Sequence, residues 1–269
     1  MAEDLFISKN WDEQIVTFND NLQIIRHKPT KRSVHDIRVS IKKLRGYLRL
    51  RQELTSEKWT DEFDPIKILF QTLAKERDFE MALSLLYRYQ RREKTSLLHF
   101  KKFLQTSGRL TRRWSRQMAL DFSTEPLQTL TNSFHLSFSA LAEEQVIEKI
   151  KGLAIKVLKK VKKLASNLKR NIHEIRKLLK DLYYWLKACP ENPVSDILKL
   201  KLLEKILDDI GRWQDHFIFL NKLNDFKKEF SVKGSNEFNL LKACEEKMNE
   251  IQTGLLNKIK VKGAILFLK

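Results

Sequence analysis

Apolar residues recur at three- and four-residue spacing through most of this chain, as at Leu69, Leu73, Phe79, Leu83 and Leu86, and no sustained two-residue alternation appears. That period belongs to one face of an α-helix, and its persistence excludes sheet architectures. Turn residues are correspondingly scarce, with 7 glycines and 5 prolines among 269 residues, while 42% apolar positions suffice for a sizeable core. The chain is therefore read as all-α. Helices are placed, to within several residues, at 4–28, 31–54, 65–93, 95–120, 125–169, 170–188, 195–229 and 235–262. Asp64 before Pro65 reads as an N-cap with proline at N1, Pro190 and Pro193 stop the helix containing Trp185, and Ser231 to Ser235 bracket a glycine loop.

Charge narrows the function. The net charge of +18 favours polyanionic partners such as nucleic acid, acidic lipid or phosphate polymers. Residues 31–51 hold eight bases against Asp36, and residues 151–187 hold twelve against Glu174 and Asp181. The rest of the chain has 32 bases and 31 acids, the mixture of ordinary solvated helix faces. Cys189 and Cys244 make neither a disulfide framework nor a metal-ligand spacing, which suits a reducing cytoplasm. No run is long and apolar enough to span a bilayer, and Met1-Ala2-Glu3-Asp4 lacks a secretory pattern, so the expectation is a soluble cytoplasmic protein without a membrane partner.

The two basic segments repeat one another. Residues 34–49 laid over 172–187 align the apolar stripe Val34, Ile37, Ile41, Leu44 and Leu48 with Ile172, Ile175, Leu179, Leu182 and Leu186. His35, Arg38 and Lys42 fall on His173, Arg176 and Lys180 in the same register. Further on, Glu76-Arg77-Asp78 faces Trp213-Gln214-Asp215. Two four-helix units, 1–122 and 123–269, are expected within a single domain.

At about 100° per residue, His35, Arg38, Lys42, Arg45 and Arg49 share an arc of about 80°, beside the apolar stripe and not opposite it. A helix lining a groove has that arrangement, and His173, Arg176, Lys180 and Lys187 repeat it. Like charges stacked on one face destabilise a helix by a few tenths of a kcal/mol per pair, so stability gives no reason for them and an anion would offset the repulsion.

The segment Val34-His35-Asp36-Ile37-Arg38-Val39-Ser40-Ile41-Lys42-Lys43-Leu44-Arg45 resembles the histidine motif of the CHAD family, the conserved-histidine α-helical domain. Leu73-Ala74-Lys75-Glu76-Arg77-Asp78 is similar to its arginine-aspartate element. Ile172-His173-Glu174-Ile175-Arg176 with Lys180, and Ile210-Gly211-Arg212-Trp213-Gln214-Asp215, resemble the second-repeat elements, with Gln214 where Asn is usual. The resemblance spans both repeats. It implies two four-helix repeats around a basic central groove that binds inorganic polyphosphate, with no catalysis and no cofactor. Asp181 and Tyr183 depart from it, standing where basic residues are common, so the second half would hold its ligand less tightly or use Lys151 through Arg170. There is no spare length for the triphosphate-tunnel domain that often accompanies this family.

Polyphosphate presents charge without bases, so guanidinium forks and ammonium groups suffice. Arg38, Arg45, Arg49 and Arg176 suit bidentate phosphate contacts, Lys42, Lys43 and Lys180 would neutralise the field, and Lys156, Lys159 and Lys163 form a row suited to an opposite wall. The bland reading of these stripes is a solvated face. His35 and His173 are either structural hydrogen-bonding residues or groups that protonate when an anion arrives. Arg77 is either a ligand or a salt-bridged core residue, and Asp36, Asp78 and Asp215 read as partners that orient arginines. Arg109, Arg112, Arg113 and Arg116, interleaved with Trp114, suit nucleic acid as well as phosphate, whereas phenylalanines such as Phe70 and Phe217 read as core. No zinc helix, Walker loop or carboxylate cluster supports a metal or a hydrolase. The sequence is best read as a non-catalytic polyphosphate-binding protein, associated with polyphosphate granules, whose groove would also take phosphate or sulfate anions. Nucleic-acid binding is the second reading; a phosphate-ester enzyme and a scaffold for acidic proteins remain behind it.

Overall fold

The computed structural model describes residues 5–139, 141–230 and 234–267. Among them it contains nine α-helices and no strand: α1 Phe6–His27, α2 Lys31–Thr55, α3 Thr60–Glu93, α4 Leu98–Asp121, α5 Glu125–Phe138, α6 Glu143–Ala165, α7 Leu168–Ala188, α8 Leu200–Phe230 and α9 Asn236–Phe267.

Local chemistry fixes several ends. Thr30 and Ser33 cap α2 reciprocally: the Ser33 amide donates to Thr30 Oγ1 at 3.0 Å, and the Thr30 amide donates to Ser33 Oγ at 3.0 Å. Helix α2 closes on Ser56 and α3 on Lys94, both in the left-handed region with φ of 62° and 49°. Gly234 lies beyond α8 with φ +85°, while 231–233 of the expected glycine loop lie outside the described residues.

Three expectations need correction. Helix α3 begins at Thr60, so Asp64 and Pro65 are not its cap and N1; Asp61 and Glu62 occupy its acidic first turn. Pro65 falls in the second turn, where its missing N–H leaves only the Asp61 carbonyl without its helical donor. The span 125–169 is two helices, because the backbone turns extended at Ala142 (ψ 149°) and Gln145 Oε1 accepts the Ala142 N–H at 3.2 Å to start α6. Helix α8 starts at Leu200 rather than 195, since Asn192 makes a local turn: its Oδ1 accepts the Val194 N–H and its Nδ2 donates to the Leu198 carbonyl.

The apolar stripes make the core. Val34, Ile37, Ile41, Leu44 and Leu48, with their α7 counterparts Ile172, Ile175, Leu179, Leu182 and Leu186, are all buried in one cluster. A second cluster joins Leu86, Phe100, Phe219, Leu223 and Leu241 where α3, α4, α8 and α9 meet. Helix α1 packs on α2 and α6 on α7; α3 packs on α4 and α8 on α9; α2 meets α7 and α3 meets α8.

Several residues separated by 138 positions touch one another. Arg77 of α3 donates to Asp215 of α8, and His99 of α4 meets Glu237 of α9 at 2.6 Å, each pair 138 positions apart. Gly46 and Tyr184 share that offset, and here the glycine matters: a Cβ at 46 would stand 3.3 Å from Tyr184 Cδ2. Trp185 Nε1 donates to the Gly46 carbonyl at 2.8 Å, so the backbone of α2 comes directly against the α7 aromatics.

Candidate anion-binding seam between α2 and α7

The basic stripes run along the edge of the α2–α7 contact. On α2, Arg38 is 7% exposed, while Lys42, Arg45 and Arg49 are half-buried. On α7, Arg176 and Lys180 are half-buried and His173 and Lys187 are exposed. Helix α3 supplies a floor: the Arg38 guanidinium lies 4.3 Å from the Phe70 ring centroid, and its Nη1 donates to the Phe70 carbonyl at 2.7 Å. Lys42 and Arg45 stand over the same ring at 5.9 and 5.6 Å. Phe70, read from sequence as core, is thus half-buried within the cationic site.

Five of these cations lack a counter-charge. Among the described residues no carboxylate lies within 4 Å of Arg38, Lys42, Arg45, Arg176 or Lys180, and the ion pairs nearby belong to Arg49 and Arg77. The Nε atoms of Arg38, Arg45 and Arg176 are buried without a hydrogen-bond partner. Desolvation followed by repulsion from Arg77 pushes Arg38 down to about 10. Burial holds Lys42 well below the ordinary lysine value, with Arg38, Arg176, Arg77 and Lys180 adding to the shift. Burial also lowers Arg176 and Lys180, whose main like-charged neighbours are Arg77 and Arg176 respectively. Charges from α2, α3 and α7 therefore converge on one place.

The acids nearest Arg77 and Arg49 are engaged, while Asp208 and Glu204 of α8 act on Lys180 from beyond 4 Å. Asp78 and Asp215 hold Arg77 from either side at 3.6 and 3.0 Å, which makes Arg77 a salt-bridged residue beneath the seam. Asp181, buried on α7, takes Arg49. Asp36 instead pairs with Arg32 at 3.5 Å and orients none of the seam arginines. His35 sits at the start of the α2 stripe, its pKa lowered chiefly by partial desolvation with Asp36 opposing. His173 packs edge-on against Trp213 and Phe217, at 5.6 and 5.5 Å between ring centres. Lys187 donates to the Tyr183 hydroxyl at 3.3 Å, and Lys180 lies 5.9 Å from the Tyr183 ring.

Other expected residues stand apart. Lys43 projects from α2 well outside the basic arc and lines a hollow against α1 with Lys9 and Glu13. Lys156, Lys159 and Lys163 are exposed on α6, and among the charges acting most strongly on the seam cations none belongs to that helix. Helix α2 itself is the wall that faces α7. On α4, Arg112 pairs with Glu76 at 3.1 Å and with Glu80, and Arg116 donates to the Arg26 carbonyl, so half of that cluster holds the fold. Trp114 beside them is 59% exposed. Sequence reasoning missed the role of Phe70, which it read as core, and missed Lys222, whose ammonium lies 3.3 Å from the Phe79 ring centroid and acts on Asp78; neither belongs to a basic stripe. Among the described residues no helix is long and apolar enough to cross a membrane, and no three potential metal ligands gather.

A family model described as the CHAD domain matches residues 11–223. The fold is similar to the crystal structure of the CHAD domain from the plant Ricinus communis, with a TM-score of 0.69 over 98% of this chain and 93% of that one, at 15% identity. None of the curated proteins matches the sequence.

Proposed function

This chain belongs to the CHAD domain family, and from that premise we propose that it binds inorganic polyphosphate, without catalysis, along the cationic seam between α2 and α7. The supporting observation is the group of five cations from α2 and α7 with no carboxylate partner. Partly buried like charges repel with little screening, and a polyanion threaded past them converts that repulsion into attraction. Arg38, Arg45 and Arg176 offer forks for bidentate phosphate contacts, and their buried Nε atoms are unused within the chain.

One feature favours a phosphate polymer over nucleic acid: the Phe70 face carries Arg38 at 4.3 Å, so it is not open to a base. A non-catalytic role fits the carboxylates: Asp78, Asp181 and Asp215 are tied to Arg77 and Arg49, which leaves none of them free to hold a magnesium ion at the seam. The free, buried Cys189 and Cys244 suit a reducing cytoplasm, where association with polyphosphate granules would follow from the binding itself.

The test is equilibrium binding of labelled long-chain polyphosphate at near-physiological salt, competed with duplex DNA, RNA and triphosphate at equal phosphate concentration. Polyphosphate is expected to survive the competition. Equal displacement by nucleic acid, or unchanged binding in Arg38→Ala with Arg176→Ala, would overturn the proposal.

A further inference from the structure

A cavity of about 290 Å³ opens between α3, α8 and α9, away from the α2–α7 seam. Its lining combines an apolar surface with a cationic rim. Leu85, Tyr89, Met248 and Ile251 provide the apolar part. Arg88, Arg92, Arg212 and Lys247 provide four cations against two lining acids, Glu93 and Asp215. Both acids are paired: Glu93 takes Arg92 at 2.9 Å, which also uses up one of the four cations, and Asp215 takes Arg77 at 3.0 Å, so Arg88 and Arg212 are the cations left for a ligand. Arg212 reaches Asp209 only at 4.0 Å, and Lys247 pairs with Glu250 at 2.8 Å. Arg88 donates to the Ser84 carbonyl at 3.4 Å and has no carboxylate within 4 Å among the described residues.

His216 completes the lining. Its Nδ1 lies 2.8 Å from the Arg212 carbonyl, which only accepts, so Nδ1 carries the hydrogen and Nε2 of the neutral ring is an acceptor. His216 is 8% exposed, held by that bond, and so offers a fixed polar group in the cavity wall.

We infer that this cavity is a second, separate site that takes a phosphate monoester carried on an aromatic or branched aliphatic body. Ligand pockets combine an apolar enclosure with a few convergent polar groups, and the volume suits a body of about a mononucleotide's size or smaller. Several cations on one rim favour a dianion over a singly charged carboxylate, because the second negative charge and the third oxygen let two guanidinium groups be engaged at once. Linear polyphosphate has no body to fill an apolar enclosure, so the inference does not depend on the seam's ligand. Asp215 is the one residue common to the cavity lining and the ion pair beneath the seam.

The test uses the full chain and 1-naphthyl phosphate as probe, followed by titration calorimetry in the presence of saturating polyphosphate. Saturable one-to-one binding is expected, weakened about tenfold when either the ester charge or the ring is removed, as in 1-naphthol or inorganic phosphate. Arg88→Ala combined with Arg212→Ala should weaken the probe by at least about tenfold, and both side chains are exposed, so the variant keeps its fold. Lys42→Ala combined with Lys180→Ala should leave the probe's affinity unchanged. The inference is overturned by unaltered binding in the Arg88 and Arg212 variant, by inorganic phosphate binding as tightly as the ester, by loss in the Lys42 and Lys180 variant, or by absence of saturable binding.

Discussion

Arg77 on α3 donates to Asp215 on α8 at 3.0 Å, and the two stand 138 positions apart, the offset that lays one basic stripe over the other. A base of α3 and an acid of α8 have become partners across the α3–α8 contact. Asp78 holds the same guanidinium at 3.6 Å, so removing Arg77 leaves two neighbouring carboxylates without their counter-charge. Arg77→Ala is expected to cost about 1–3 kcal/mol in urea unfolding, with part of the loss restored by adding Asp215→Asn. An unchanged midpoint would mean that this pair does not hold α3 to α8.

Binding through the seam has a salt signature. Each neutralised phosphate contributes a slope of about −0.7 to −0.9 in the logarithm of affinity against that of salt. Lys42→Ala combined with Lys180→Ala should therefore reduce the slope by up to about 2, whereas Lys156→Ala combined with Lys159→Ala, on exposed α6, should leave it unaltered. Titrations across ~50 to ~200 mM salt decide this. A slope that falls equally for both variants would place the ligand on a diffuse surface instead of the seam.

Lys42 gives stability and binding opposite dependence on alkaline pH. Its folded-state pKa lies well below 10.5, chiefly through burial, so between that value and 10.5 the unfolded chain binds more protons than the folded one. Its contribution to stability therefore grows as pH rises through this window and is lost as pH falls back through it. A bound polyanion raises the lysine's pKa, so affinity is lost as pH rises through the same window. Tyr184 and Cys189, both pushed up to about 12 by burial, work against the stability rise above their ordinary values. The readout is accordingly the difference between wild type and Lys42→Met: the wild type should gain stability relative to the variant with rising pH, and lose its affinity advantage.

His35 acts on the acid side. Partial desolvation, reinforced by Lys42, Arg77 and Arg38 and opposed by Asp36, sets its folded pKa below 6.5. The unliganded protein should lose stability as pH falls below 6.5, because the unfolded histidine takes up its proton first. The complex should instead tighten, since an anion favours the imidazolium. Affinity measured between about pH 6 and pH 8 is expected to rise toward acid in the wild type and to be flatter in His35→Ala. A His35→Ala variant that keeps the full dependence would remove His35 from the site.

Much of this arrangement was legible because helical periodicity projects one-dimensional spacing onto a face. The apolar stripes starting at Val34 and Ile172 are buried throughout, and the arc of Arg38, Lys42 and Arg45 stands on one aromatic ring. The ring itself was not legible: Phe70 sits at an apolar-stripe position of α3, and only the approach of α2 makes it a floor for cations. The break before α6 carries no proline or glycine, its signal being a single Gln145 side chain on the Ala142 amide. Lys156 and its neighbours stand exposed on α6, which was not legible for a related reason, since spacing says which residues share a face but not which neighbour that face meets. Lys43 was separable in principle, being about 80° beyond the edge of the arc at His35.

Arg49 shows how an acid set among the seam cations is absorbed. Asp181 occupies the position corresponding to Lys43, and it is 7% exposed, where an unpaired carboxylate would be costly. Burial raises its pKa, and Arg49, by charge and hydrogen bond, brings it back toward ionisation. The stripe thus gives up one cation to hold α2 against α7. Arg49→Ala should destabilise the protein by about 1–3 kcal/mol, with the loss growing as pH rises above the ordinary aspartate range, because the stranded Asp181 must then ionise or stay protonated at a cost. Adding Asp181→Asn to Arg49→Ala should recover most of that stability, while Asp181→Asn alone frees the guanidinium and should strengthen polyphosphate binding. Thermal melts of the four proteins, with salt-dependent titrations of the same set, separate the two roles. If Arg49→Ala weakens binding as strongly as Lys42→Ala while leaving the melting temperature unchanged, Arg49 is a ligand contact and its pairing with Asp181 does not hold the helices together.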